Sequence, residues 1–313
     1  MIVDFIREHA DHQPEDGLRW GVEPICAVLS EHGVKIAPST YYEWKDRLPN
    51  RRQDRDQVLT GHIRRIHAAN FGVYGPRKVW LALNREGIGV ARCTIERLMK
   101  AAGLAGAVRG KVKRTTIAGV GPKPDDLVKR NFEPTAPNRL WVADFTYVST
   151  WAGWTYVAFV IDAYARRIVG WRTATAMTAD LVLDAVEHAI WTREREDRDQ
   201  FDDLVAHHDR GVQYLSVAYS ERLARAGIRP SVGAVGSSYD NALAESINGL
   251  YKTELIRRHG PWRSVDAVEI ATAEWVDWYN HRRLHEYAGD ITPVEAEHHY
   301  YARAQQPVGS SNQ

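Results

Sequence analysis

The back half of the chain alternates apolar and polar residues with the period of two that is typical of β-strands. Short turns join the first three such segments, which predicts an antiparallel meander. Helical patterns then alternate with two shorter apolar runs. The predicted strands are 140–150, 154–162, 166–174, 204–209 and 228–232, and the predicted helices are 177–194, 215–227 and 238–254. This β-β-β-α-β-α-β-α order matches an α/β fold of the ribonuclease-H-like type, a mixed sheet flanked by helices on both faces.

The front of the chain contains an internal repeat. Residues 20–44 and 74–98 align at a constant offset of 54 without a gap. Each copy has a helical pattern, a glycine where a left-handed helix end is expected (Gly33 and Gly87), and a second helical pattern. Two helices joined by a short glycine turn are typical of helix-turn-helix modules, whose second helix enters the DNA major groove. A plain helical hairpin used for packing or dimerisation is the alternative.

The charge distribution favours DNA binding. Residues 1–130 carry a net charge of +8 and residues 131–313 a net charge of −7, and 51–130 alone holds 18 basic and 6 acidic residues. A basic front joined to an acidic back indicates a polyanion-binding module attached to a domain that gathers carboxylates. Ordinary solubility charge is the alternative. In the second repeat the expected DNA-contacting side chains are Arg92, Arg97 and Lys100.

Composition changes along the chain predict its domain boundaries. We expect all-α tandem helix-turn-helix modules, a basic Gly- and Pro-containing linker, a catalytic core, a helical extension and a disordered tail. The predicted ranges are 1–50 and 51–104 for the two modules, 105–137 for the linker, 138–260 for the core, 261–300 for the extension and 301–313 for the tail.

The overall composition is that of an ordinary soluble globular protein, with 44% hydrophobic and 26% charged residues. The sequence has no run of about 18 apolar residues, so no membrane span is expected. The charged N-terminus lacks the apolar centre of a signal peptide. The two cysteines, Cys26 and Cys93, have neither zinc-site nor disulfide spacing. We therefore expect a bacterial cytoplasmic protein, associated with the nucleoid when bound to DNA.

Three acidic residues are predicted to meet in the back half. Asp144 lies in the middle of the first strand, where a carboxylate is costly to bury without a partner. Asp209 ends the fourth strand, and Glu245 lies on the last helix. In a ribonuclease-H-like arrangement the first and fourth strands lie side by side and a helix crosses nearby. Such a cluster of hard oxygen ligands suits two divalent ions that act on a phosphodiester.

Glu245 belongs to a polar stripe on its helix. Asn241, Glu245, Asn248 and Lys252 are spaced i, i+4, i+7 and i+11, so they share one helix face. Most charged helix faces are simply solvated. Alongside the other two acids, we expect Glu245 to point at the metals, Lys252 to hold a DNA phosphate, and the two asparagines to hydrogen-bond DNA backbone or bases.

Several other residues are weaker candidates. Asp162 is expected to be a turn residue, Trp154 a core residue rather than a base-stacking platform, and Glu254, nearly opposite Glu245 around the helix, not a ligand. Basic residues at the end of the C-terminal helix are expected to contact phosphate, with simple surface charge as the alternative. These residues are Arg282, Arg283 and His285.

Four motifs follow one another in order, and together they resemble a known superfamily. They are LWVADFTYV (140–148), HHDRGVQYLS (207–216), YDNALAESINGLYKTEL (239–255) and WYNHRRLHEYAGDITPVE (278–295). With 35 residues between Asp209 and Glu245, the acids resemble the D-D-35-E triad of integrases and transposases. The motifs are similar to those of second-reading-frame transposases of the insertion sequence three family, over nearly the whole chain. His208 and Val212 replace the serine and the small polar residue that are common there.

The resemblance implies an enzyme that cuts and joins DNA strands at the terminal inverted repeats of a mobile element. It implies two Mg²⁺ ions, with Mn²⁺ able to substitute, held by Asp144, Asp209 and Glu245. It further implies double-stranded DNA as partner, a homo-oligomer on DNA, and frameshift fusion to an upstream-frame protein that carries its own helix-turn-helix and leucine zipper. This chain has no sustained heptad run, so we expect it to need that protein for full activity.

Two other functions compete with a transposase. A structure- or hybrid-specific nuclease would share the fold, but it has no use for two sequence-reading modules. A DNA-binding regulator with an inactive core would be expected to lack at least one of the acids. All three are present.

Overall fold

The computed structural model describes residues 2–12, 17, 19–45, 50–108, 134–208, 217–232 and 242–305. The chain divides into two compact units, residues 1–61 and residues 62–313, at a boundary within a long helix. None of the helices in the described ranges has both the length and the apolar character needed to cross a bilayer.

The first unit is built from three short helices and the start of a longer one. They are α1 (Ile2–His9), α2 (Val22–Glu31), α3 (Pro38–Lys45) and α4 (Arg51–Ala69), the last of which continues into the second unit. Apolar side chains from α1, α2 and α3, together with the residue that follows α1, form a small core, which comprises Ile6, Ala10, Ile25, Cys26 and Tyr41. The first copy of the repeat therefore folds as the helix–turn–helix that its pattern predicts.

The second copy of the repeat forms α5 (Pro76–Arg85) and α6 (Arg92–Ala101) in the second unit. The bounds of α2 shifted by the repeat offset of 54 coincide with those of α5. Gly33 and Gly87 end the first helix of each copy with φ values of +85° and +79°. Only glycine adopts that left-handed conformation without a steric cost. The glycine that recurs in both copies therefore allows the chain to leave each helix.

The second unit contains a five-stranded mixed sheet. Its strands are β1 (Leu140–Thr150), β2 (Gly153–Asp162), β3 (Arg167–Ala174), β4 (Val205–His208) and β5 (Arg229–Val232). The strand order is β3-β2-β1-β4-β5, with antiparallel pairing within the meander and parallel pairing of β4 with β1 and β5. Each strand bound lies within one residue of its predicted position. The predicted ribonuclease-H-like mixed sheet is confirmed.

Helices cover both faces of this sheet. They are α7 (Ala179–Glu194), α8 (Val217–Arg225), α9 (Ala242–Tyr251) with a π-helical turn (Lys252–Ile256), α10 (Arg257–His259), α11 (Val265–His281) and α12 (Pro293–Ala304). One core packs Trp141, Ala143 and Val160 of the sheet against α7 and α8. On the opposite face, the Phe159 ring lies 5.1 Å from that of Tyr251 and 6.2 Å from that of Trp275, measured between centroids.

Strand β1 extends beyond the described part of β4. Within the described residues, β4 pairs with β1 over Leu140–Ala143. From Asp144 onward, the described part of the chain supplies β1 with one strand partner, β2. Helix α9 packs against β1. The middle of β1 is therefore reached by side chains of a helix, which positions the candidate site.

Candidate active site

Asp144 is half-buried and held in one orientation by two hydrogen bonds. The Asn248 Nδ2 donates to its Oδ2 at 2.8 Å, and the Phe145 backbone N–H donates to its Oδ1 at 2.9 Å. Hydrogen bonds to a carboxylate favour its charged form and offset the cost of partial burial. The oxygen atoms of the Asp144 carboxylate are therefore held in a fixed orientation, in which they could bind a metal ion.

Helix α9 brings the second described acid to the same edge. Asn248 is 9% exposed, and its side chain reaches Asp144 in β1. Glu245 lies one turn earlier, so it shares the face of α9 that carries Asn248, and its side chain is exposed to solvent. The buried side chains Ala244, Ile247 and Tyr251 anchor the helix. The face that bears Glu245 is thus held beside the Asp144 carboxylate.

Lys252 lies in the π-helical turn and also faces β1. Its Nζ is 4.7 Å from the centroid of the Tyr147 ring. Burial, and then the charge of Arg257, lower the pKa of Lys252, and the Asp144 carboxylate opposes this shift. The ammonium group is half-buried and lies within electrostatic reach of the first acid. Asn248 and Lys252 therefore both point toward β1. The expectation that Asn248 hydrogen-bonds DNA is wrong, because its side chain is 9% exposed and its amide N–H group donates to the Asp144 carboxylate.

Asp209 and Asn241 lie outside the described residues. The described part of β4 ends at His208, whose pairing partner in β1 is Ala143. In the sequence, Asp144 directly follows Ala143 and Asp209 directly follows His208.

The donor chemistry of the site suits a hard divalent cation. In the described ranges, which exclude Asp209, no group of three or more His, Cys, Asp or Glu side chains is placed to hold a metal ion. Asp144 and Glu245 supply carboxylate oxygens, which are the ligands that Mg²⁺ prefers. The Oδ1 of Asn248 is buried beside Asp144 without a hydrogen-bond partner among the described residues, and it adds a further oxygen of the same class. The oxygen atoms of these residues therefore fit the Mg²⁺ ions that the sequence resemblance implies.

The expectation that Arg283 and His285 contact DNA is wrong. Arg283 is 6% exposed, and its guanidinium donates to Glu254 from Nε at 3.0 Å and from Nη2 at 2.6 Å. His285 is 4% exposed and accepts from Arg283 Nη1 at 3.1 Å. A buried pair cannot reach a phosphate without breaking these contacts. Glu254 points away from Glu245 because its carboxylate accepts these hydrogen bonds from Arg283.

Arg282 differs from its neighbour because it lies at the surface. Its side chain is 56% exposed and forms an ion pair with Asp277 at 3.1 Å. Exposed ion pairs are weak, so this contact leaves Arg282 able to bind a phosphate.

Asp162 ends β2 directly before a turn, as the sequence predicts, and its side chain is fully buried. It accepts hydrogen bonds from the backbone N–H groups of Asn138 at 2.7 Å and Tyr164 at 3.0 Å, and from Arg193 Nη2 at 2.9 Å. Arg193 also donates to Glu297 of α12 at 2.6 Å. Burial raises the pKa of Asp162, and the charge of Arg193 opposes that shift. The network ties β2, α7 and α12 together.

The three basic residues of the second repeat that are expected to contact DNA lie at the surface of the protein. Arg92, Arg97 and Lys100 are all exposed on α6, while Ile95 and Met99 are buried. Arg92 also pairs with Glu96 at 2.9 Å along the helix.

Trp154 contradicts its expected place in the core, since it is 55% exposed. The alternating pattern assigns Trp154 to one face of the sheet. It does not show whether a helix covers that face at Trp154.

Family models match most of these elements. Two models described as integrase core domains match residues 134–238 and 226–293, and a model described as an HTH-like domain matches residues 53–112. Together with the sheet order, these matches define an enzyme with an integrase catalytic core, a polynucleotidyl transferase type, that carries a DNA-binding helix-turn-helix-like region.

Curated relatives identify the family within this class. The chain is 66% identical over 276 residues to a putative transposase for insertion sequence element IS986/IS6110 from Mycobacterium tuberculosis (strain CDC 1551 / Oshkosh), covering 88% of this chain and 99% of that protein. It is 50% identical over 289 residues to the transposase for IS629 from Shigella sonnei, covering 91% and 94%. It is 30% identical over 295 residues to the transposase InsF for IS3A from Escherichia coli K12, covering 91% and 96%. The chain belongs to the transposases of insertion sequences related to IS3.

A solved structure is similar at lower identity. The catalytic core domain of HTLV-2 integrase in complex with magnesium matches with a TM-score of 0.41 and 17% identity, covering 52% of this chain and 99% of that one.

Proposed function

We propose that Asp144, Asp209 and Glu245 are the catalytic carboxylates of this transposase, and that it cleaves and joins DNA strands at the terminal repeats of its element. The observation that supports this most is the 2.8 Å hydrogen bond from Asn248 Nδ2 to Asp144 Oδ2. That contact fixes the face of α9 carrying Glu245 against the strand carrying Asp144. The contact therefore supports a shared site for two acids that are distant in sequence.

Each residue has a distinct role in this proposal. The three carboxylates would hold two Mg²⁺ ions, which when bound supply charge stabilisation at the phosphate and lower the pKa of the attacking hydroxyl. Asn248 orients the Asp144 carboxylate through its amide N–H. Lys252 binds a nearby phosphate of the DNA backbone. In the overall reaction, water hydrolyses one phosphodiester and releases a 3′ hydroxyl. This hydroxyl then attacks a second phosphodiester, whose 3′ oxygen leaves with the proton as the new phosphodiester forms, so no external energy source is required.

The helical repeats would recognise the DNA sequence at the ends of the element. We assign Arg92, Arg97 and Lys100 of α6 to contacts with the terminal repeat, because α6 buries its apolar side and exposes these cations. Arg282, Asn241 and the basic segment 105–137 are further candidates for contacts with DNA. We also retain from the sequence resemblance an oligomer on DNA and the upstream-frame protein as partners.

The test is cleavage of a supercoiled plasmid that carries both element ends, in Mg²⁺, by the chain alone and by its frameshift fusion. We expect Glu245→Gln to lower the rate of end cleavage by at least about 1,000-fold, because a catalytic carboxylate acts as part of a unit. Glu274→Gln, which changes an exposed acid on α11, is the matched control and is expected to cut like the parent. Both variants should retain binding of the ends in a gel-shift assay.

Cleavage by Glu245→Gln at the parental rate would remove Glu245 from the site. If neither the parent chain nor its fusion cuts the ends, the second candidate holds, which is a DNA-binding regulator with an inactive core.

A further inference from the structure

Two large aromatic rings lie exposed on the β1–β2 hairpin beside the candidate active site. Tyr147 is 43% and Trp154 55% exposed. Their ring centroids are 5.2 Å apart with an interplanar angle of 86°. Tyr147 pairs with Tyr156 and Ser149 pairs with Trp154, so the two rings are diagonal neighbours on one face of the hairpin. We call Tyr147 and Trp154 the aromatic patch.

Positive charges border this patch. The Lys252 Nζ lies 4.7 Å from the Tyr147 ring centroid. At the turn of the same hairpin, Trp151 is 69% exposed and lies 5.6 Å from the guanidinium of Arg263. The Trp151 backbone N–H donates to Trp262 O at 3.0 Å, which fixes the turn to the segment that supplies the cation. Exposed aromatic rings bordered by cations match the chemistry of a single-stranded nucleic acid.

Lys252 connects the patch to the candidate active site. Tyr147 is three residues beyond Asp144 along β1, about 10 Å, so the two side chains lie on opposite faces of the strand. Lys252 reaches both, because its Nζ lies 4.7 Å from the Tyr147 ring centroid and the Asp144 carboxylate acts on its pKa. Lys252 is seven residues after Glu245, again about 10 Å along a helix. These distances correspond to about three nucleotides of a stacked strand.

We propose that the aromatic patch binds an unpaired DNA base next to the scissile phosphate, with the base stacked on the face of the Trp154 ring, the perpendicular Tyr147 ring beside it, and its phosphate on Lys252. This rests on the proposed function for the position of the scissile phosphate. A ring face stacks on any base, so the contact is independent of sequence. A paired base is already stacked within its duplex, so the patch selects strands that are opened or frayed at the cut. Lysine is depleted in protein–protein interfaces, which favours DNA over a second copy of the chain.

The experiment measures binding of the full chain to two DNA probes in EDTA, so that cleavage cannot contribute. One probe is a blunt mixed-sequence duplex, and the other is the same duplex with a five-nucleotide unpaired 3′ tail containing 2-aminopurine. We expect the parent to prefer the tailed probe and to quench its fluorescence. Trp154→Ala and Trp154→Leu should bind the tailed probe about 10-fold to 100-fold more weakly, with blunt binding unchanged.

Two variants serve as controls. Trp154→Phe retains a ring and should keep most of the preference. Trp191→Ala removes another exposed tryptophan, 51% exposed on α7 with the Arg195 guanidinium 4.7 Å from its ring, and should behave like the parent. Trp154→Leu keeps the apolar bulk, so it separates stacking from any loss of folding seen in Trp154→Ala.

An undiminished tail preference in Trp154→Leu would overturn the proposal. A second result would also overturn it: Trp154→Leu has a lower molecular mass than the parent by light scattering but keeps its preference for the tailed probe. That result would mean that the patch binds a second copy of the chain. The proposed function fails separately: Glu245→Gln could cut like the parent while the tail preference stays intact.

Discussion

At the scale of the residue, Asn248 is the most informative side chain of the site. It joins α9 to β1 through its hydrogen bond to Asp144. Groups that orient a metal-binding carboxylate typically affect activity or metal affinity by about 10-fold to 100-fold. We expect Asn248→Ala to slow single-turnover end cleavage by that factor and to raise the Mg²⁺ concentration needed. Asn84→Ala, which alters an exposed asparagine on α5, is the control, and an equal loss in both variants would contradict a role for Asn248.

His285 makes stability dependent on pH. Burial, and then the charge of Arg283, lower the pKa of His285 to about 2, from an ordinary value of 6.5. Between these pH values the unfolded chain binds a proton that the folded chain does not, so stability is lost as the pH falls below about 6.5.

The variant that tests this is His285→Gln, which retains an acceptor for Arg283. We expect the parent to lose about 1 kcal/mol more than this variant between pH 6 and pH 5, measured as the free energy of unfolding in urea. His299→Gln, at an exposed position on α12, should follow the parent. Parallel pH profiles for the parent and His285→Gln would show that His285 titrates normally in the folded chain.

Sequence patterns predicted some of these residues and missed others for a physical reason. An aspartate in the middle of an apolar strand stands out, because its burial needs a partner. Arg283 and His285 were misplaced because a basic helix end looks the same whether it faces DNA or an internal acid. Glu254, which lies 29 residues away in sequence, decides that question. Trp154 was misplaced because strand alternation carries no signal for the end of a covering helix.

At the scale of the element, β3 and α7 approach each other closely at Gly170. A Cβ atom there would lie 2.2 Å from Ala185 O and 2.6 Å from Ala189 N. Both are backbone atoms of α7, so the helix would have to move. We expect Gly170→Ala to lower the free energy of unfolding by about 1–3 kcal/mol, the range for an overpacked core. In denaturant unfolding Gly89→Ala, where a Cβ would meet nothing within 4 Å, should change stability little.

The elements themselves were largely predictable. The alternation in the meander and the glycine at each helix end specify local geometry, which is why the strand bounds and the repeated helices were placed closely. Thr292 and Glu295 form a capping box at the start of α12, in which each side chain accepts from the backbone N–H group of the other residue. The π-helical turn at Lys252–Ile256 was not predicted, since the sequence there continues a normal helical pattern.

At the scale of the whole molecule, the second helical repeat is built into the catalytic unit. The Arg77 guanidinium of α5 donates to both carboxylate oxygens of Asp290 at 2.8 Å. The Leu284 backbone N–H donates to the Tyr74 hydroxyl at 2.8 Å. Trp278 Nε1 donates to Asn70 Oδ1 at 2.9 Å. The helix that we propose for DNA recognition, α6, therefore belongs to the same compact unit as the candidate active site. On this proposal, a DNA end bound by α6 would be positioned relative to the carboxylates.

The most direct test of the metal site replaces Mg²⁺ with Fe²⁺ in the complex of the full chain with element-end DNA. With ascorbate and peroxide, bound Fe²⁺ produces hydroxyl radicals that cut the polypeptide close to the ion. We predict cuts in three segments, around residues 144, 209 and 245, that are suppressed together by excess Mg²⁺ and weakened by Glu245→Gln. Cuts confined to other segments, or cuts at these three that are insensitive to Mg²⁺, would contradict a shared metal site.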